Sequence, residues 1–111
     1  MTMQERASYM WACIERNRGA LVSWYLMLSW LYYMQDITVV HDDDFDKVCR
    51  RLKAEWPLVK HHHKRRVSLE LLDAGSGFNL KNYPKIVIGA ASRLAIEDGH
   101  VRWNEAERAW T

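Results

Sequence analysis

Residues 20–35 form a long run without a single charged side chain. Wound as a helix, this run is apolar on nearly every side, so other elements or lipid must enclose it. A bilayer span needs about 20 consecutive apolar residues, and Ser23, Ser29 and a pair of tyrosines dilute this run. We therefore expect the buried central helix of a globular domain, and no membrane partner.

The segments around this run have the periodicity of amphipathic helices. Residues 3–18 place apolar side chains on one helical stripe, and we expect Gly19 to end that helix. After a short connector, Asp42 occupies an N-cap position and Pro57 stops the helix that follows. The inward stripe of this helix has spacings of three and four, and it comprises Phe45, Val48, Cys49, Leu52 and Trp56.

The second half of the chain predicts shorter elements and one further long helix. We expect an exposed loop over residues 60–66 (KHHHKRR) and a short helix over residues 69–74 that Ser68 caps. The glycines of residues 75–77 lack the pattern of a phosphate loop, so we expect a helix-ending turn there. Residues 85–97 predict the last substantial helix, which ends at Asp98 and Gly99, and an amphipathic tail follows with Trp103 and Trp110 as anchors.

These elements predict an all-α fold: a compact bundle of four to five helices in one domain, residues 1–111. Six Trp, five Tyr and two Phe exclude a wholly disordered chain, because such chains are poor in aromatic residues. Sixteen basic against fourteen acidic residues leave a net charge of +2, which gives no global attraction to nucleic acid or membrane. Cys13 and Cys49 lie on helical stripes without a CxxC or zinc spacing, and no export signal is present, so we expect reduced thiols in a cytoplasmic protein.

Residues 31–59 have a distinctive arrangement of aromatic and acidic side chains. Two tyrosines end one helix, a connector with an aspartate follows, and an Asp-x-x-Phe-Asp sequence opens the next helix. This arrangement resembles the N-terminal helical (Ia-type) subdomain of NAD-dependent DNA ligases, whose motif is Tyr-His, a connector with Asp, and Asp-x-x-Tyr-Asp. The spacing matches without a gap. The chain also resembles small stand-alone ligase-related proteins of phages and bacteria, and the matching hairpin covers about residues 20–58, before a C-terminal helical part at 67–111.

In that family the subdomain closes over the nicotinamide mononucleotide (NMN) half of NAD. The resemblance implies that Tyr32 stacks on nicotinamide, that Asp42 and Asp46 accept hydrogen bonds, and that the other residues complete the site. The ligand-binding residues so implied are Tyr32, Tyr33, Asp36, Asp42, Phe45 and Asp46. Tyr33 replaces the family's His and Phe45 replaces its Tyr, which alters two polar contacts. The alternative is structural, because Tyr32 and Phe45 could pack against each other and aspartates at a helix start are ordinary caps.

The chain lacks the Lys-x-Asp-Gly motif of the ligase adenylation domain and is too short for a ligase core, so we expect no enzyme. No Ser/His/Asp set or activated cysteine stands out, and the three consecutive histidines 61–63 lack a metal-ligand spacing, so we expect neither a catalytic nor a metal site. The resemblance then predicts a non-catalytic module in nucleic-acid metabolism that binds a nucleotide, such as NMN or NAD, or a partner enzyme.

A cluster of basic residues offers a second kind of site. Its members fall within twenty residues and are Lys47, Arg50, Arg51, Lys53, Lys60, Lys64, Arg65 and Arg66. Such a face suits nucleic-acid backbone or another phosphate group. It also suits a phage-encoded interaction protein or inhibitor that presents charged faces to a host nucleic-acid-handling or defence complex such as CRISPR-Cas. The remaining alternative is a solvated helix face.

Overall fold

A computed structural model describes residues 1–61, 63–67, 70, 72 and 83–100, together with the backbone of residues 103–104 and 109–110. Its α-helices are α1 (Met3–Arg16), α2 (Ala20–Ser29), α3 (Asp42–Ala54) and α4 (Lys85–Glu97). A π-helix at Trp30–Met34 extends α2, and 3-10 turns occupy Trp56–Leu58 and Lys64–Arg66. The all-α prediction is confirmed. The tail adds a ladder of two-residue strands, Trp103–Asn104 antiparallel to Ala109–Trp110.

Helix α2 is the centre of the fold. Apart from Ala20 and Ser23, every residue of this helix is buried, and α1, α3 and α4 all pack against it. This arrangement confirms the predicted central helix, because a segment without charges loses least by complete burial. Within the described part of the chain, no helix combines the length and apolar character that crossing a membrane requires.

Helix α1 begins with a reciprocal cap and ends before the predicted glycine. Thr2 Oγ1 accepts a hydrogen bond from the Glu5 N–H, and a Glu5 carboxylate oxygen accepts one from the Thr2 N–H. The helix ends at Arg16 with Asn17 as C-cap, so the prediction that Gly19 ends it is wrong. Gly19 has ordinary helical dihedral angles before α2. A Cβ at this position would lie 2.7 Å from the carbonyl oxygen of Lys60, and this close approach is what requires glycine.

Helix α3 follows the predicted pattern with one shift. Its N-cap is His41, one residue before the predicted Asp42, and the three aspartates that follow lie in its first turn. There they complement the positive end of the helix dipole. Val48, Cys49 and Leu52 are fully buried as predicted, and Pro57 lies in the 3-10 turn that follows the helix.

The histidine-rich segment packs more closely than the predicted exposed loop. His61 Nε2 lies 2.9 Å from Ser23 Oγ on α2, and His61 Nδ1 accepts a hydrogen bond from the His63 N–H at 3.0 Å. A neutral ring with its proton on Nε2 satisfies both contacts. Lys64 donates to the Trp56 carbonyl oxygen at 2.6 Å and lies over the Trp56 ring. An imidazole ring combines an apolar body with polar edges, so His61 can be half-buried here.

Helix α4 matches the prediction from Lys85 to Glu97, and it buries Val87, Ala91, Leu94 and Ala95. Of the short helix predicted over residues 69–74, residues 70 and 72 are described and helical. Its cap Ser68, the turn at residues 75–77, and the side chains of Trp103 and Trp110 lie outside the described residues.

A buried ion pair joins the first turns of α1 to the C-terminal end of α4. The Arg6 side chain is 2% exposed, and its guanidinium donates to both Asp98 carboxylate oxygens, at 3.0 and 2.7 Å. A third hydrogen bond goes to Glu97 at 3.2 Å. Asp98 raises the pKa of Arg6, and this bidentate pairing lets α1 bury a charge against the end of α4.

We expect Asp98→Ala to lower the free energy of unfolding by about 3 kcal/mol, because it leaves a buried guanidinium without its main partner. Glu97→Ala is the control, since Glu97 is 53% exposed, and it should cost under about 1 kcal/mol. Urea titrations followed by circular dichroism measure both. Equal effects of the two substitutions would contradict the buried-pair account.

Alanine substitutions at two glycines test the close approach of the Lys60 backbone to the start of α2. Gly19→Ala should destabilise the protein by about 1–3 kcal/mol, because backbone atoms must move to admit the methyl group. Gly89→Ala in α4 should instead stabilise it by about 0.5–1 kcal/mol, because, apart from the backbone of α4 itself, no atom of the described residues lies within 4 Å of its Cβ position. Thermal unfolding of both variants gives the comparison, and a stabilised Gly19→Ala variant would be the contrary result.

Candidate functional site

The end of the central helix determines where a site can form. Helix α2 widens into the π-helix at Trp30–Met34. Helices of this type are rare in proteins, and those that occur are often found at functional sites. Asp36 then adopts a left-handed conformation with φ of 56°, which Asp tolerates better than most residues. The Ile37 N–H donates to the Leu31 carbonyl oxygen at 2.9 Å and closes the helix end. The connector therefore turns back against the helix and leads into α3.

A cavity of about 250 Å³ lies at this junction. Its walls come from the end of α2, the π-helix, the connector and the first turns of α3. The lining comprises Leu28, residues 37–40, Tyr32, Tyr33, Asp42, Phe45 and Asp46. The structure thus places five of the six ligand-binding residues that the resemblance implies around one cavity. The sixth, Asp36, does not line the cavity; its place is at the end of the π-helix.

The aromatic side chains of the cavity are held by different partners. Phe45 stacks on Tyr25 with a ring-centroid distance of 5.9 Å and an interplanar angle of 4°. Tyr32 meets Tyr33 edge to face at 4.8 Å and 84°. Both geometries are favourable for aromatic pairs. Tyr32 remains 45% exposed, so part of its surface stays open to a ligand while Phe45 is fixed against the core.

Two carboxylates stand on the α3 side of the cavity. Asp42 and Asp46 are four residues apart, which places them one above the other on the same face of the helix. Asp42 is exposed in the first turn, and Asp46 pairs with Arg50 at 2.8 Å between Oδ2 and Nη2. Asp44, in contrast, accepts a hydrogen bond from the indole N–H of Trp11 and joins α3 to α1. Aromatic faces beside two carboxylates create a setting that favours a cationic ring.

Three weakly acidic side chains behind the aromatic wall are shielded from solvent, and the sequence predicted burial for Tyr25 and Cys49 but not for Tyr83. Burial raises the pKa of the Tyr25 hydroxyl, with smaller effects from Cys49, Tyr83 and Tyr33. Burial also raises the pKa of Tyr83 to about 12 and that of the Cys49 thiol to about 12. The Tyr83 hydroxyl is buried without a hydrogen-bond partner in the described part of the chain. Tyr83 lies in a predicted turn, and a turn has no periodicity from which its buried residues could be predicted.

Some side chains of the basic cluster contact other residues of the protein, and others are exposed to solvent. Arg51 pairs with Glu15 and Glu55 and lies over the Trp11 ring. Glu55 raises the pKa of Arg51, and Arg51 lowers that of Glu55. Arg50 pairs with Asp46, and Lys64 contacts Trp56. The exposed members are Lys47, Arg50, Lys53, Lys60 and Arg65, whereas Arg66 is half-buried.

Comparisons of the chain with known protein families, with curated proteins and with solved structures find no match. Among the described residues, no three His, Cys, Asp or Glu side chains come together as metal ligands would. The cavity geometry and the motif spacing are therefore the basis for any functional inference.

We expect Tyr83→Phe to make the free energy of unfolding decrease less steeply as the pH rises above 10. Between pH 10 and about 12 an unfolded tyrosine ionises while folded Tyr83 stays protonated, so folding stability falls as pH rises through this window. Removing the hydroxyl removes one such proton and a buried group that has no hydrogen-bond partner among the described residues, which should also add about 1 kcal/mol of stability at pH 8. Thermal unfolding at pH 8 and 11 measures both effects, and an unchanged pH dependence would contradict this assignment.

Proposed function

We propose that this chain is a non-catalytic binding module that takes a cationic aromatic ring in the cavity between α2 and α3, with the NMN half of NAD as its ligand. The main support for the proposal is that five of the residues implied by the resemblance line the same cavity. Tyr32, Tyr33, Asp42, Phe45 and Asp46 come from separate segments and line the same space. Their motif spacing and their geometry independently favour the same ligand class.

The size of the cavity supports part of a dinucleotide as the occupant. Sites for drug-sized ligands have volumes of roughly 300–1,000 Å³, and this cavity has about 250 Å³. It suits a ring with its attached sugar, while an adenosine half would extend into solvent. Free NMN and NAD should consequently bind with similar affinity.

The charge distribution supports a positively charged ring. Tyr32 has an open surface, and the two carboxylates line the same cavity from its α3 side. Cation–π attraction and charge–charge attraction then act together on a pyridinium ring. A neutral ring of the same shape would gain only the stacking contribution.

The basic cluster supports the alternative functions less well. Arg51 and Lys64 already make close contacts within the protein, which leaves fewer basic side chains for an interaction partner or a nucleic acid. Direct nucleic-acid binding predicts an affinity that falls steeply with salt, whereas a stacked nucleotide depends on salt much less. Gel-shift experiments at two salt concentrations distinguish these functions.

The experiment that tests the proposal is calorimetric titration with NMN and with NAD. We expect saturable binding of both, weakened at least about tenfold by Asp46→Ala, because a charge-assisted contact is lost. Asp43→Ala is the matched control, since Asp43 is an exposed aspartate of the same helix that does not line the cavity. Circular dichroism verifies that both variants fold. Absence of heat with either ligand, or equal binding by the Asp46→Ala variant, would contradict the proposal.

A further inference from the structure

We propose that Arg50 and Lys47 form an anion subsite beside the cavity, which binds the phosphate group of the nucleotide. This inference rests on the proposed function and specifies which residues of the same site hold the phosphate. The observations behind it are the ion pair between Asp46 and Arg50, and a basic cleft on the adjoining face of α3.

The first observation places a cation at the edge of the cavity. Asp46 lines the cavity, and Arg50 Nη2 lies 2.8 Å from its Oδ2. A guanidinium has five N–H donors, and this ion pair uses one of them. The Arg50 side chain is 67% exposed, so its remaining donors face solvent next to the cavity. Arg50 can therefore keep its contact with Asp46 and bind an anion at the same time.

The second observation is a cleft of about 520 Å³ between α1 and α3, which Arg50 lines as well as pairing with Asp46 of the cavity. Its lining consists of Trp11, Glu15, Lys47, Arg50 and Arg51. Arg51 is occupied, because it pairs with Glu15 and Glu55 and lies over Trp11. Lys47 is exposed, and no ion pair engages it among the described residues. Lys47 and Arg50 are thus the cations of this cleft that are available to a ligand.

The two charged regions match the two charges of one ligand class. Asp42 and Asp46 line the cavity, and the available cations lie on the neighbouring face of the same helix. Nicotinamide mononucleotide has a positive ring and a negative phosphate, with a single ribose between them. With the ring in the cavity, its phosphate would lie near Arg50 and Lys47. Arginine and lysine are the usual protein partners of phosphate groups.

The test compares NMN with nicotinamide riboside, which has the same cationic ring and sugar but no phosphate. Calorimetry on the unaltered protein should show NMN binding at least about tenfold more tightly than the riboside. Arg50→Gln and Lys47→Gln should each weaken NMN binding, and together they should remove its advantage. Riboside binding should persist or strengthen in Arg50→Gln, because Asp46 is then freed from its pairing. Arg65→Gln, a change at an exposed arginine outside both pockets, should leave both affinities unchanged.

One set of results would overturn only the anion subsite, and a different result would overturn the proposed function. Equal affinities for NMN and the riboside in the unaltered protein would overturn the anion subsite and leave the ring-binding cavity in place. An equal loss of both affinities in Arg50→Gln would show that Arg50 only supports the structure, which also overturns the subsite. Failure of both compounds to bind would overturn the proposed function itself.

Discussion

The burial of nearly all of α2 determines how the other helices are arranged. A helix without charged residues has no face to present to water, so α1, α3 and α4 must surround it. That requirement brings the start of α1 to the end of α4, where the buried Arg6 finds Asp98. It also brings the chain after α3 back across the start of α2, where Gly19 admits the Lys60 carbonyl.

The end of α2 then creates the site. A π-helix and a left-handed Asp36 reverse the chain within a few residues, and the short connector delivers α3 beside the tyrosines. The same helix α3 presents carboxylates towards the cavity and cations towards the cleft next to it. A ligand with a positive ring and a negative group close by fits that separation of charge. Fold and proposed function are thus connected through one helix end.

Much of the helical framework was predictable because it depends on local periodicity. The apolar run at residues 20–35 and the stripe of α3 are visible in the sequence, and the spacing of Asp42 and Asp46 already places both on one face. The pairing of Arg6 with Asp98 was not predictable, because 92 residues separate the two partners. The π-helix at Trp30–Met34 was likewise not predictable. Periodicity cannot distinguish the last turn of an α-helix from such a widened end.

Binding of a cationic ring in the cavity between α2 and α3 can be tested by an amide-resolved NMR titration with nicotinamide mononucleotide. We expect saturable chemical-shift changes concentrated in residues 28–50, with much smaller changes in α4. Changes of similar size throughout the protein, changes confined to α1 and α4, or no changes at all would contradict it. This measurement locates the ligand as well as detecting it, so it tests the site and the proposed ligand class together.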